Sequence, residues 1–312
     1  MVELHRPVME REVLEYLVCC PEGIYVDATL GDGGHAGAIL SSLASQGRLI
    51  GLDWDMEALR RAENRLNEFT GRMFLVHESY TNLEEVLRNL KFDLVNGILI
   101  DLGVSTLQLM DAERGFSYHQ IGDLDMRMDR RGSLTAKDIV NQYTEEQLSI
   151  IFFRYGEERW SKKIATGIVR AREQHGPFED SKALAEVVKE AIPARFRRQG
   201  GHPARKVFQA LRLAVNRELE NIELFLPQAL RRLNPGGRLV VIAYHSLEDR
   251  LVKNFLRAHA GQCGCPPNLP CVCGQKAELR IITGKALKPL PAEVEDNPRA
   301  RSARMRVAEK LI

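Results

Sequence analysis

The chain lacks a charge imbalance. Its 44 Lys and Arg against 42 Asp and Glu leave a formal net charge of +2. Nothing global therefore marks it as a nucleic-acid binder, and any basic surface has to be local. It has no run of the ~20 apolar residues that a helical membrane span needs. The first residues, Met1-Val2-Glu3-Leu4-His5-Arg6, show no basic stretch followed by an apolar core, so no secretory signal is expected. The six cysteines fall as an adjacent pair, Cys19 and Cys20, and a cluster from Cys263 to Cys273. That is no disulfide framework for a large domain, and a reducing, cytoplasmic setting is expected. Internal repeats and low-complexity tracts are missing too. What is there, 312 residues with 44% hydrophobic and 28% charged, suits a globular protein with ample core material. The length allows two domains, or one carrying a large insertion.

Short apolar runs alternate with helical patterns through the first hundred residues. Residues 24–28, 48–53, 73–77 and 93–101 read as strands, and 36–45, 55–69 and 82–90 as helices. This alternation predicts βαβ units and a parallel sheet. It stops after Asp101. Residues 102–132 are irregular, and 134–192 carry helical patterns only. Thr144 opens a capping box ahead of an apolar stripe, Ser181 is expected to cap the next helix, and Pro193 follows that helix. A helix over 221–233, an Asn234-Pro235-Gly236-Gly237 turn, a strand over 238–244 and a helix from Leu247 restore the rhythm. Two β-like runs, 279–283 and 303–307, close the chain. The prediction is one α/β domain, 1–107 plus 217–312, split by a mainly helical insertion, 108–216, that recognises the substrate. The insertion enters at the carboxyl edge of the sheet, where open α/β sheets bind ligands.

The segment Asp27-Ala28-Thr29-Leu30-Gly31-Asp32-Gly33-Gly34-His35 joins the first strand to the first helix of that alternation. Glycines at such a turn let the backbone bend sharply and approach a nucleotide closely. Gly31-x-Gly33-x-x-Ala36 fits the dinucleotide fingerprint, while Asp27-x-x-x-Gly31-x-Gly33 fits the S-adenosylmethionine loop of methyltransferases. Asp53 ends the second strand about 20 residues past the glycines, as a carboxylate accepting both ribose hydroxyls should. It implies an adenosine-type ligand without separating the two cofactors. The Pro235-Gly236-Gly237 turn and the paired C-terminal β-runs favour the methyl donor, and no hydride-transfer apparatus stands out. Asp101 ends the fourth strand, where amino-methyltransferases face donor and acceptor. An exocyclic amine on a nucleobase is a weak nucleophile, because its lone pair is delocalised into the ring. An acceptor for its hydrogens favours a pyramidal nitrogen, and most of the remaining work is in-line positioning.

Several longer runs carry a resemblance. Gly33-Gly34-His35, Asp101-Leu102-Gly103-Val104-Ser105 with Gln108, and Glu113-Arg114-Gly115-Phe116-Ser117 are three of them. Asp123-Leu124-Asp125-Met126-Arg127-Met128-Asp129, Phe208-Gln209-Ala210-Leu211-Arg212, His245-Ser246-Leu247-Glu248-Asp249-Arg250 and Asn297-Pro298-Arg299-Ala300-Arg301-Ser302 are the rest. In order and across nearly the whole chain, these resemble the ribosomal RNA small subunit methyltransferase H family, also called MraW. The resemblance implies a class I S-adenosylmethionine-dependent methyltransferase, an α/β protein with a Rossmann-like sheet, acting on the N4 amine of a cytosine in the decoding region of 16S rRNA. It implies cofactor contacts at Gly33, Gly34, His35, Asp53, Tyr80, Asp101 and Gln108. Tyr80 reads equally as an aromatic wall against adenine and as a core ring.

The Pro-Pro-aromatic run common after the fourth strand of enzymes acting on exocyclic amines is absent. Leu102-Gly103-Val104 stands there instead. Base stacking then falls to Phe116, Tyr118 or Tyr244, and the catalytic acceptor set to Asp101 with Ser105 or His245. Between Pro193 and Arg217 lie Arg195, Arg197, Arg198, Arg205, Lys206, Arg212 and Arg217, with no acidic residue. With Arg205, Gln209, Arg212 and Asn216 on one helical stripe, this reads as a phosphate-contacting patch for 16S rRNA. Arg299, Arg301, Arg304 and Arg306 could form a second. Cys263, Cys265, Cys271 and Cys273 could hold a structural zinc, although the usual Cys-x2-Cys knuckle is missing, and free thiols in a loop are the alternative. No metal is needed for the chemistry. Cys19 and Cys20 are expected in the core. A homodimer is left open, as are two rival readings: an NAD-dependent oxidoreductase on the same loop, and a non-catalytic RNA-binding assembly factor.

Overall fold

The computed structural model describes residues 7–119, 121–197, 202–261 and 276–311. The chain divides into a unit of Met1–Gly103 with Leu219–Ile312, and a second unit of Val104–Glu218. Cys263, Cys265, Cys271, Cys273 and Arg198, proposed above as zinc ligands and phosphate contact, lie outside the described residues.

The first unit is built on a seven-stranded sheet. Its strands are β1 (Ile24–Asp27), β2 (Arg48–Asp53), β3 (Met73–His77), β4 (Val95–Asp101), β5 (Leu233–Ala243), β6 (Leu279–Ile281) and β7 (Arg304–Lys310). They lie in the order β3-β2-β1-β4-β5-β7-β6. All pairs from β3 to β5 are parallel, and β7 runs antiparallel to both β5 and β6. The helices of this unit are α1 (Glu10–Leu17), α2 (Gly34–Ser42), α3 (Met56–Arg65) and α4 (Leu83–Asn89) before the insertion. The six helices of the insertion follow as α5 to α10, and α11 (Glu218–Arg232) brings the chain back. Then come α12 (Ser246–His259) and α13 (Pro291–Asp296).

Both faces of the sheet are covered. Successive strand side chains point to opposite faces, so Ile98 and Ile100 pack with Phe225, Leu226, Val252 and Leu256 of α11 and α12. Leu99, one residue out of phase, packs with Val13, Leu17, Ile39, Leu40 and Ala62 of α1 to α3. Near-continuous apolar strands are what a parallel sheet buried on both sides requires. Each fully buried Leu or Ile contributes about 1.5–3 kcal/mol.

The Pro-Gly-Gly turn interrupts β5 rather than preceding it. Val95 pairs with Leu233 and Gly97 with Arg238, so the residues between bulge out of the ladder. Gly236 there adopts a φ of 79°, a conformation that favours glycine. The cysteine pair departs from its expected place. Cys19 is exposed and Cys20 half-buried, because both lie in the turn after α1, beyond its apolar face.

The second unit is helical: α5 (Thr106–Met110), α6 (Ala136–Gln142), α7 (Glu145–Gly156), α8 (Ser161–His175), α9 (Ser181–Ala191) and α10 (Arg205–Asn216). Thr144 caps α7 in a reciprocal box with Gln147, as its spacing predicts. The cap of α9 is Asp180, whose side chain accepts from the Ala183 N–H at 2.9 Å, while Ser181 is the first helical residue. A carboxylate one residue earlier is the better acceptor there. Between α5 and α6, residues 111–119 and 121–132 are irregular apart from a 3-10 turn over Ala112–Arg114, and polar side chains hold them. Asn216 accepts from the Met128 N–H and donates to the Met126 carbonyl, each at 2.7 Å.

Candidate functional site

The strand order reverses between β1 and β4, which neighbour one another at the centre of the sheet. Side chains at the carboxyl ends of β1, β2 and β4 therefore gather beside the point where such sheets bind ligands. Three of those side chains are carboxylates: Asp27 ends β1, Asp53 ends β2 and Asp101 ends β4.

The loop after β1 is tied back to β2. Asp53 accepts the Gly31 N–H on Oδ2 and the Asp55 N–H on Oδ1, both at 2.8 Å. Gly31 and Gly33 have φ of 53° and 76°. A Cβ on Gly31 would meet nothing within 4 Å, so the loop is open above the Asp53 carboxylate. At Gly33 the added carbon would press on Leu66 and Ala62, which makes glycine necessary twice over. Gly34 starts α2, and His35 in its first turn is buried.

Asp101 is the most elaborately held of the three. Its backbone N–H donates to Thr29 Oγ1 at 2.6 Å, its Oδ1 accepts the Tyr244 hydroxyl at 2.9 Å, and its Oδ2 lies 3.6 Å from His35 Nε2. The side chain nonetheless keeps 23% of its surface open, enough for a reacting group to reach it. Burial, with Asp101 alongside, pushes the Tyr244 phenol far up, so it stays protonated as the donor. Burial works against a charge on His35, but Asp101 and Asp27 outweigh it and raise the imidazole above its usual range. Asp27 is fully buried, accepts the Thr29 N–H on Oδ1 at 3.2 Å, and leaves Oδ2 without a hydrogen-bond partner among the described residues. Burial pushes both Asp27 and Asp53 up to about 6.

The remaining expected site residues have partners of their own. Tyr80 is 6% exposed, and its ring packs 5.7 Å from Trp54 and 5.4 Å from Phe225, so it is part of the core under β4. Ser105 and Gln108 belong to the second unit and occupy each other. Ser105 Oγ accepts the Gln108 N–H at 3.2 Å and Gln108 Oε1 accepts the Ser105 N–H at 3.1 Å, a capping box on α5. His245 caps α12, its Nδ1 accepting from the Glu248 N–H, and Glu248 accepts the Tyr244 and His245 N–H groups in return. Of the stacking candidates Phe116 is buried, Tyr118 is stacked on His202, and Tyr244 is engaged by Asp101. Thr29 is not legible in the sequence as a site group, since it falls in no recognisable spacing, and Tyr244, expected as a stacking ring, instead offers its hydroxyl to Asp101.

The basic patch is thinner than its sequence. Arg212 does not face outward as a phosphate contact: it is largely buried in a bidentate pair with Glu218 at 2.8 and 3.0 Å. The acid that neutralises it lies just past the acid-free stretch. Arg197 donates to the Ile192 and Glu190 carbonyls and Lys206 to that of Glu157, while Arg195 and Arg205 are exposed. At the C-terminus Arg304 and Arg306 pair with Asp249, and Arg299 and Arg301 are exposed.

A carboxylate-lined site suits a cationic ligand with hydroxyls and repels a pyrophosphate, which discriminates between the two cofactors the glycine loop allows. The comparison with known proteins agrees. The family model described as "MraW methylase family" matches residues 2–311. The chain belongs to the MraW methylase family. It is 48% identical over 309 residues to the ribosomal RNA small subunit methyltransferase H of Halothermothrix orenii, covering 99% of each chain. It is 49% identical over 309 residues to that of Heliobacterium mobile, covering 98% of this chain and 99% of the other. Among solved structures it resembles an rRNA methylase from Streptococcus thermophilus, with a TM-score of 0.43, 13% identity and complete coverage of both chains. This methylase has the class I fold, whose cofactor is S-adenosylmethionine. The three carboxylates, the open loop at Gly31 and the unpartnered Asp27 Oδ2 fit that group, which offers a ribose diol and positive charge.

Proposed function

We propose that this methylase transfers a methyl group to the N4 amine of a cytosine in the decoding region of 16S rRNA, within the small ribosomal subunit. The observation that carries the reading is Asp101: a carboxylate at the switch point, locked from three sides and partly open. S-adenosylmethionine supplies an activated methyl group on a cationic sulfur. Asp53 holds the ribose hydroxyls on the lone pairs that its two backbone bonds leave free. Gly31, Gly33 and Gly34 let the loop backbone come close to the cofactor, and His35 with Asp27 lines the floor beneath Asp101.

Asp101 accepts a hydrogen of the substrate amine. That bond draws the nitrogen towards a pyramidal shape and aims its lone pair at the methyl carbon. The Tyr244 hydroxyl and the Thr29 bond to the backbone fix the carboxylate before substrate arrives, so no reorganisation is needed in the transition state. As the C–N bond formed, the sulfur–methyl bond would break with its electron pair going to sulfur, the amine would carry the positive charge, and Asp101 is placed to take its proton. Ser105 and His245 have their side chains committed to helix caps, so the acceptor role concentrates on Asp101. The Val104–Glu218 unit supplies substrate recognition, with Arg195, Arg205, Arg299 and Arg301 as the exposed cations of the two basic stretches.

The test offers radiolabelled S-adenosylmethionine and this protein to small subunits from cells lacking the enzyme, and maps the label. A single modified cytosine, with the methyl on N4, is expected. Label on another base, or on free RNA but not on subunits, would replace this substrate assignment.

A further inference from the structure

In the Val104–Glu218 unit, two half-buried rings and three exposed cations form a cluster, of which only Arg195 belongs to the basic stretches named above. Trp160 and Phe196 lie 5.4 Å apart at 41°. The Arg159 guanidinium stands 5.2 Å from the Trp160 ring and 4.4 Å from the Phe196 ring. Lys163 Nζ is 5.2 Å from Trp160, and the Arg195 guanidinium is 4.7 Å from Phe196.

We propose that this cluster is a contact surface for the rRNA of the small subunit, gripping phosphates through Arg159, Lys163 and Arg195. The proposal rests on the reading that the substrate is rRNA. Three observations support it. First, five other cations of this unit are neutralised: Arg127 by Asp125, Arg131 by Asp129, Lys137 by Glu179, Lys189 by Glu186 and Arg212 by Glu218. Arg159, Lys163 and Arg195 form no ion pair with the described residues, and the adjacent acid, Glu158, is buried and accepts the Trp160 N–H at 2.9 Å.

Second, the sequence runs against helix electrostatics here. The positive N-terminal end of α8 has no acidic residue in its first turn and carries Lys162 and Lys163 instead. The neighbouring α7 has Glu145 and Glu146 at the same place. Positive charge accumulated at local cost suits a polyanion. Third, the rings hold the guanidinium groups by cation–π contact, which keeps their N–H edges available and limits the freedom lost on binding.

The experiment measures binding of the full-length protein to unmethylated small subunits across a salt series. Wild-type affinity should fall steeply with salt. The triple variant Arg159→Gln/Lys163→Gln/Arg195→Gln should flatten the slope of log affinity against log salt by about 2, from three contacts at ~0.7 each. Its KM for subunits should rise, with kcat at saturation and cofactor affinity unchanged. Arg159→Lys/Arg195→Lys keeps the charge and should keep the slope. Trp160→Leu should weaken binding at every salt concentration without altering the slope. A triple variant with the wild-type slope overturns the surface, whereas a wild-type protein that binds without salt dependence overturns the rRNA reading itself.

Discussion

At the carboxyl edge of the sheet, Asp27 Oδ2 and both ring nitrogens of His35 are buried with no hydrogen-bond partner among the described residues. In the inserted unit several polar side chains instead hold irregular backbone between α5 and α6. Asn216 bonds Met128 and Met126 and also donates to the Arg212 carbonyl at 2.9 Å, and Arg127 bonds both oxygens of Asp125. An unsatisfied buried polar group costs about 1–3 kcal/mol. The sheet edge carries the cost on a thick core, and a ligand is what would relieve it. The buried Asp27 and His35 atoms at the sheet edge therefore fit a ligand site, while the Asn216 bonds to Met126 and Met128 hold backbone, although the two kinds of residue are equally conspicuous in sequence.

The sharpest way to break that comparison is Asp101→Ala. Single-turnover methyl transfer at saturating cofactor should fall about 100-fold or more, with a lower thermal midpoint because the Tyr244 hydroxyl loses its acceptor. Full transfer by this variant would remove Asp101 from the chemistry. Asn216→Ala is the converse case. It should lower stability by about 2–3 kcal/mol in denaturant titration, because it strands the Met128 N–H and the Met126 carbonyl, yet leave cofactor affinity at the sheet edge unchanged. A matching loss of cofactor affinity would show that the two regions are not independent.

The smallest effect is in pH. Asp27 and Asp53, raised to about 6, bind protons more readily in the folded protein than in the unfolded chain. Their contribution to stability therefore grows as pH falls from above 6 towards 4, and is lost as pH rises through about 6. Cofactor binding needs the ionised acceptors and should run the opposite way, weakening by at most about tenfold per pH unit per group below 6. Calorimetry of S-adenosylmethionine binding from pH 5 to about 8, in buffers of different ionisation heat, checks both the trend and the accompanying proton release. A flat profile would remove these carboxylates from the binding step.

Much of the first unit was legible because its signals are local. The β2 and β3 runs end where the strands end, and Asp53 and Asp101 sit at strand ends because a charge cannot continue inside a sheet buried on both faces. The helical insertion was legible from the loss of alternation after Asp101. Less legible were side chains whose partners are far along the chain or hidden behind a reasonable pattern. Arg212 reads as one cation in an acid-free stretch until Glu218 folds back on it, and Tyr80, which reads equally as an adenine wall or a core ring, packs against Trp54 and Phe225. His245 and Ser105 carry the right atoms for catalysis, but their helices use them as caps.

By itself the sequence determined the fold class, the interruption by a helical unit, the glycine turn and the carboxylates at its strand ends. These depend on period, propensity and spacing, which act over a few residues. Only the tertiary structure decided which of those carboxylates are left hungry, which cations are already neutralised, and that Asp101 is held by Thr29 and Tyr244, 72 and 143 residues away. Those outcomes turn on burial and on hydrogen bonds between distant segments, and neither exists until the chain has folded.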